Sequence, residues 1–455
     1  MKSALISYQK KLSNDFLLDF KRKLAYDHFF ILTHNCKVES EKLKKLKKFT
    51  IIECTRREIP KKIDHIFNDP KNSDLMIMPY FKGIDADTKY SIKIYNKMFN
   101  SKIDANSFRL KSNMNNFLGK EIVQKKSLKY SYHEIIKLKY QKIAQKIGQQ
   151  FILKPTNAAA SLLNFKISSI ENFHQAKQKL QKKYQYIIEE YLEGNLYSVD
   201  FYCNGEDIFL LCFVREIPFL EIMEKFSQKY LDKYQTPLTT DFLHFLPISY
   251  SLNLKKITNF ELEFIKKIGQ KLIENKYRGF IHLEYKVKRK DKKIGFIEWG
   301  ARMGGKRDYF IEKMHRLRAE NIPFKILFKK DLSRFEKKKG IYYLKGKDID
   351  ENLAFIKTNV IEKTHVLKIL KKIPKFLNIS FERFLKEFMW DKWKIKVRDI
   401  NFSLSNSSEG FLYPFYQRSD AKLTYIMEMK EKSFQKFLSK KYKILEHLVF
   451  HDYKN

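Results

Sequence analysis

The segment 294–305, IGFIEWGARMGG, ends an apolar run on a carboxylate, Glu298, and then turns to glycine, alanine, arginine and two more glycines. A carboxylate buried without a partner gives up its charge or costs several kcal/mol, so something nearby must want this one. Upstream, GFIHLEYKV carries Glu284, and KRKDKK between the two runs has no apolar residue and reads as a turn. A turn centred on Asp291 places Glu284 opposite Glu298 and His282 opposite Gly300. Alternation then puts these four residues on one face and Ile281, Leu283, Ile297 and Trp299 on the other. Directly opposed residues have Cβ atoms roughly 4.5–5.5 Å apart, where like charges repel. A bridging cation relieves that repulsion, and Mg²⁺ favours one or two carboxylates completed by substrate phosphates. The plainer account is an exposed face relieved by Lys286 and Lys288. The residues alone leave both accounts open.

The elements that must position this pair follow from the apolar pattern. ALISY, HFFILTH, FTIIEC and DLMIMPYF read as strands separated by lysine-rich helical stretches, which suggests a small parallel α/β layer. From 111 to 148 the spacing becomes helical, as in HEIIKLKYQKIAQKIG. FILKPTNAAAS reads as a strand entering a loop of small residues. A helix over ENFHQAKQKLQKKY leads to the strand YIIEEYLEG, and SVDFYC and IFLLCFV form a hairpin around Asn204-Gly205. A helix near 261–275 precedes the acidic hairpin. Beyond about Phe328 the pattern loosens into mixed helix and strand, with LSRFEKKKG as a linker.

Composition sets outer limits. The chain of 455 residues is long enough for two to four domains, and 44% hydrophobic with 15% aromatic content argues against disorder. No apolar run approaches the ~18 residues that span a bilayer. The first residues read as a strand rather than a signal peptide. Four scattered cysteines (Cys36, Cys54, Cys203, Cys212) without a Cys-x-x-Cys suggest free, mostly buried thiols in a reduced cytoplasmic protein. A formal charge of +39 invites a polyanion partner. However, lysine far outnumbers arginine and is spread along the whole chain, which fits a solvated surface better than a specific nucleic-acid site. Nonspecific adhesion to polyanions at low salt is expected.

Taken together, Glu284 in IHLEYKV and FIEWGARMGG resemble the end of the ATP-grasp domain of carboxylate–amine ligases. In that family two acids hold Mg²⁺ or Mn²⁺ against the phosphates of ATP, and the resemblance assigns these roles to Glu284 and Glu298. Arg302 matches the family arginine, whose fork suits an acyl-phosphate or carboxylate. Gly300 stands where the family usually has a metal-binding asparagine. The glycine- or alanine-containing version resembles the bacterial L-amino-acid ligases, and His282 would compensate in part. Lys111 and Lys154 match lysines that approach the phosphates. The run 156–161, with Asn157, Ala159 and Ser161, occupies the place of the phosphate lid. IIEEYLEG resembles the adenine hinge: Glu189 beside the exocyclic amine, backbone of Glu190 and Leu192 on the adenine edge. Leu196 replaces the usual ribose glutamate, which leaves Glu193 or Asp200 for the ribose.

The resemblance covers roughly residues 1–325 and implies an α/β (α+β) ATP-grasp fold. Its parts would be a Rossmann-like pre-ATP-grasp domain (1–110), the small lid subdomain (111–190), the large subdomain (191–328) and a C-terminal α+β extension (329–455). The implied activity is ADP-forming amide-bond synthesis between a small carboxylate, an amino acid by preference, and an amine, through an acyl-phosphate. Catalytic roles fall to Arg302, Lys154 and His282, with His282 and Glu216 the candidates for general base and a structural, supporting role the other reading of His282. Substrate loops are read at 215–219 and around His244. Neither a membrane nor a specific nucleic acid is an expected partner. The C-terminal segment, with EFMWDKWKIKV and GFLYPFYQR, closes over the site or mediates a homodimer. The alternatives are a bicarbonate-activating enzyme resembling biotin-dependent carboxylases and a basic nucleotide- or nucleic-acid-binding protein with a degenerate site.

Overall fold

A computed structural model describes residues 3–9, 28–33, 49–53, 58–69, 76–78, 103–157, 163–217, 248–304, 307–317, 319, 322–327, 332–345, 353–360, 396–403 and 422–430. The four N-terminal apolar runs are strands: β1 (Ser3–Gln9), β2 (His28–Thr33), β3 (Phe49–Glu53) and β4 (Met76–Met78). They pair in the order β3-β2-β1-β4, all parallel, with helix α1 (Ile59–Phe67) between β3 and β4. This is the expected α/β layer.

Helix α2 (Lys111–Leu118) follows, and then a second four-stranded sheet. Its strands are β5 (Ser127–Ser131), β6 (Phe151–Pro155), β7 (Phe165–Ile167) and β8 (Gln185–Glu190), in the antiparallel order β5-β8-β6-β7. Helices α3 (Tyr140–Ile147) and α4 (Ile170–Lys179) supply Ile143, Ile147, Phe173 and Ala176 to a core with Phe151, Leu153, Phe165 and Ile188. Ser169 caps α4 by accepting from the Asn172 backbone N–H.

The largest sheet starts with β9 (Asn195–Asn204) and β10 (Ile208–Ile217), joined by the Asn204-Gly205 turn. It continues through β11 (Ile248–Leu252), β12 (Arg278–Lys288) and β13 (Lys293–Gly300). Helix α5 (Asn259–Glu274) lays Leu262, Ile265, Ile268 and Leu272 into its core. A capping box starts α5, with Glu261 accepting from the Thr258 N–H and hydroxyl. Strands β14 (Phe335–Lys338), β15 (Ile341–Leu344), β16 (Leu353–Val360), β17 (Lys396–Ser403) and β18 (Lys422–Lys430) belong to the same sheet. The order is β13-β12-β9-β10-β11-β16-β18-β17, with β15 on β10 and β14 on β15. Hydrogen bonding is therefore continuous across residue 328. Among the described residues no helix is long and apolar enough to cross a membrane. Cys203 and Cys212 are free and buried, and burial pushes both thiols up. Cys36 and Cys54 lie outside the described residues.

Helix α6 (Arg307–His315) ends on a buried histidine whose Nδ1 has no hydrogen-bond partner. Burial pulls the His315 pKa from 6.5 down to about 4, opposed only in part by a bond to the Lys345 backbone. In the unfolded chain this imidazole takes a proton near pH 6.5, whereas in the fold it stays neutral. Its contribution is thus complete above pH 6.5 and lost as the pH falls through 4. Unfolding in urea at pH 7 and pH 4.5 is expected to show a loss of about 2–3 kcal/mol from this residue. His315→Asn should flatten that part of the profile.

Candidate active site

The hairpin β12–β13 sets the site. Glu284 pairs with Glu298, Leu283 with Trp299 and His282 with Gly300, the register read from the sequence. The turn itself, at Arg289–Asp291, is centred half a residue earlier than expected, because Lys288 pairs with Lys293. A bulge between Glu284 and Tyr285 on one strand and Glu298 and Phe296 on the other absorbs the difference and restores the acidic register. On the other side of β12, His282 pairs with Asp200 and Glu284 with Ser198.

Trp299 brings the first lysine to this face. Its indole N–H donates to the Ser107 carbonyl at 2.7 Å, and its ring stacks on Phe108 at 5.1 Å. That anchors the turn leading into α2, whose first residue, Lys111, also donates its backbone N–H to Thr156 at 3.0 Å. Lys111 Nζ then lies 3.2 Å from Glu298 Oε2. Burial pushes the Glu298 carboxyl up, but Lys111, Lys154 and Arg302 outweigh it and hold the group below its ordinary range. One cation thus contacts a partly exposed carboxylate, and two more act on it through their charge. Arg302 donates to the Met303 carbonyl at 3.0 Å.

Lys154, on β6, reaches Glu189 Oε2 on β8 at 2.5 Å. Glu189 Oε1 receives Lys125 at 2.8 Å and Asn115 Nδ2 at 3.1 Å. Burial raises the Glu189 carboxyl, but Lys125 and Lys154 override it and hold it at about 2. The hinge is tied down beyond it. Glu190 accepts from the Lys126 N–H, and the Leu192 carbonyl accepts from Lys286 at 2.9 Å. A Cβ on Gly295 would meet Leu192 Cδ1 at 2.5 Å, so that glycine makes room for the hinge leucine. Gly194, at φ +105°, turns the chain into β9, and a Cβ there would strike the Val287 carbonyl oxygen at 2.5 Å. Glu193 is exposed and pairs with Lys288 at 3.2 Å. Asn157 is exposed, while Ala159 and Ser161 lie outside the described residues, as does His244.

The structure sets His282 between two carboxylates, which fits the supporting reading better than the catalytic one. Its Nδ1 is 3.1 Å from Asp200 Oδ1 and its Nε2 is 3.1 Å from Glu284 Oε1. Burial works against its proton, but Asp200 and Glu284 prevail and raise its pKa to about 9. An imidazolium at neutral pH, clamped between two carboxylates, is a charged brace and has no lone pair with which to accept a proton. Gly304 permits this placement, since a Cβ there would meet the His282 ring at 2.6 Å.

Sequence reasoning gave Asp200 and Glu216 other roles and missed Arg307, which joins them behind the brace. Asp200 is 0% exposed and accepts from His282, the Gly304 N–H at 2.6 Å and Arg307 Nε at 3.2 Å. It is therefore walled off from the ribose role offered as an alternative. Arg307 also donates to Ser198 and Glu216, and Ser198 donates to Glu216 at 2.9 Å. That pairing takes Glu216 out of contention as a free base. Burial would lower the Arg307 pKa, but Glu216 and Asp200 raise it, so the guanidinium is permanently charged.

The donor set can be tested for a divalent cation. Among the described residues no group of three His, Cys, Asp or Glu side chains converges as a metal cage. Two facing carboxylates remain, and Gly300 adds no side-chain donor. Such a set fits a hard cation that arrives with phosphate oxygens and water, and does not fit a resident structural ion.

Residues 126–235 match the ATP-grasp domain family. Solved structures agree over nearly the whole chain. An L-amino acid ligase from Bacillus licheniformis aligns with a TM-score of 0.52 at 12% identity, covering 98% of this chain and 97% of that one. An ADP complex of N5-carboxyaminoimidazole ribonucleotide synthetase gives 0.55 at 12% identity, covering 99% and 97%. Carboxyaminoimidazole ribonucleotide synthase from Aspergillus clavatus, complexed with ATP, gives 0.53 at 10%, covering 99% and 98%. No curated protein matches the chain by sequence. The protein has the ATP-grasp fold, and residues 126–235 are similar to the ATP-grasp domain family.

Proposed function

We propose that the protein is an ATP- and Mg²⁺-dependent carboxylate–amine ligase that forms an amide bond through an acyl-phosphate, with an amino acid as the preferred carboxylate. The observation that carries this reading is the Lys111 ammonium 3.2 Å from Glu298, opposite Glu284 on the neighbouring strand, with the charges of Lys154 and Arg302 also acting on that carboxyl. Bringing a carboxylate up to the terminal phosphate of ATP sets two anions against each other. At 4 Å two unit charges repel by about 4 kcal/mol at an effective dielectric near 20. Three cations acting there offset the repulsion and hold the reactants in line.

Lys154 and Lys111 bind the phosphates, and Arg302 orients the attacking carboxylate with its planar fork. A carboxylate oxygen forms a bond to the terminal phosphorus as ADP leaves. The amine nitrogen then bonds to the acyl carbon as inorganic phosphate departs, and the proton it loses passes to that phosphate or to water. A divalent cation held by Glu284 and Glu298 would neutralise phosphate charge during both transfers. His282 and Asp200 keep Glu284 in place through the clamp described above.

The test is release of ADP and phosphate from ATP and Mg²⁺ in the presence of pooled amino acids, with products read by mass spectrometry. Turnover that needs both a carboxylate and an amine supports the ligase. ATP cleavage driven by bicarbonate without an amine would move the protein to carboxyphosphate chemistry. Absence of turnover together with tight, salt-sensitive RNA binding would overturn the enzyme reading.

A further inference from the structure

Lys125 has no role in the reaction above, yet its side chain is buried against Glu189. It sits in the turn between the short helix Lys120–Val123 and β5, just after Gln124, whose backbone is left-handed at φ 51°. Its side chain is 1% exposed and its ammonium lies 2.8 Å from Glu189 Oε1. The Ile297 carbonyl at 3.5 Å and the Phe296 ring at 5.6 Å close its other sides. Burial lowers its pKa to about 8, even against the opposing pull of Glu189.

One buried carboxylate needs one counter-ion, and Glu189 has two. Lys154 already lies 2.5 Å from the other oxygen, with Asn115 adding a third donor. The two lysines differ in their outlook. Lys125 is capped by protein, whereas Lys154 lies on β6 two residues before Thr156, whose carbonyl holds Lys111, the lysine that reaches Glu298. If Lys154 swings toward a phosphate, its bond to Glu189 lengthens. Without a second cation that movement would strand a carboxylate that is 3% exposed, and a buried charge that loses its counter-ion is strongly penalised.

We infer that Lys125 is a standing counter-ion for Glu189, which releases Lys154 to bind nucleotide phosphate without leaving a buried carboxylate unpaired. The inference rests on the proposed nucleotide binding and deepens it. Lys125 is thus a positioning residue that acts through Glu189 and Lys154. Its removal taxes the bound state, because only there is Lys154 drawn away.

The test is a thermodynamic cycle on the full chain, measuring the dissociation constant of ADP with Mg²⁺ by calorimetry, so that no turnover is needed. Lys125→Met is expected to weaken ADP binding about 10- to 100-fold. In a Glu189→Gln background, where no charge can be stranded, the same change is expected to weaken binding less than about threefold. If the Met variant fails to fold, Lys125→Gln is measured in its place and the same pattern is expected. Equal losses in the two backgrounds, or no loss in either, would overturn the role of Lys125. Failure of the unaltered protein to bind ADP or ATP would instead overturn the nucleotide reading, and this inference with it.

Discussion

Glu298→Gln is expected to lower turnover by about 100- to 1,000-fold while the protein stays folded. The substitution keeps the shape and removes the charge on which Lys111, Lys154 and Arg302 act. Effects of this size are typical when one preorganised electrostatic group is removed from an active site. The side chain is 30% exposed, so the change does not hollow out a core. Lys111 keeps access to phosphate oxygens, so nucleotide affinity is expected to fall less than the rate does. Steady-state rates beside a thermal melt check both halves. Near-normal turnover in the folded variant would remove Glu298 from the chemistry.

Arg307→Met is expected to act on stability, by about 3–5 kcal/mol. Asp200 is fully buried and Glu216 nearly so, and this guanidinium bridges the two. Methionine fills the space but supplies no charge, so two carboxylates are left to repel each other inside the sheet. His282 pairs only with Asp200 and Glu284, so it neutralises only part of the deficit. Urea unfolding of the variant measures the loss. Adding Asp200→Asn to the same chain should recover part of it, because one stranded charge is then gone. A stability within about 1 kcal/mol of the unaltered protein would show that the network is not held by Arg307.

The two halves of the site differ in how far the sequence exposes them. Glu284 and Glu298 are legible because a polar turn between two apolar runs nearly fixes a register, and the local bulge happens to correct the half-residue error. Lys111 and Lys154 are legible only through the order of family motifs. Lys125 and Arg307 are hidden for a plain reason: with 91 lysines and arginines, another basic residue carries no contrast, and its burial depends on strands far away in sequence. Glu189 pairs with a lysine 64 residues before it, and Asp200 with an arginine 107 residues after it. Such pairings are set by topology and leave no periodic trace. The same holds for β16, β17 and β18, which join the large sheet through β11 across a long stretch of chain. His282 was visible as a residue facing the acids. A supporting role was one of the two readings open for it; its partner Asp200, on the neighbouring strand, was not legible.

The central claim is that a substrate carboxylate is phosphorylated before an amine displaces the phosphate. Carboxylate substrate labelled with ¹⁸O tests it directly, by mass analysis of the phosphate released. An acyl-phosphate route predicts one labelled oxygen in each phosphate and the other retained in the amide. Unlabelled phosphate released alongside amide product, or pyrophosphate in its place, would contradict the account.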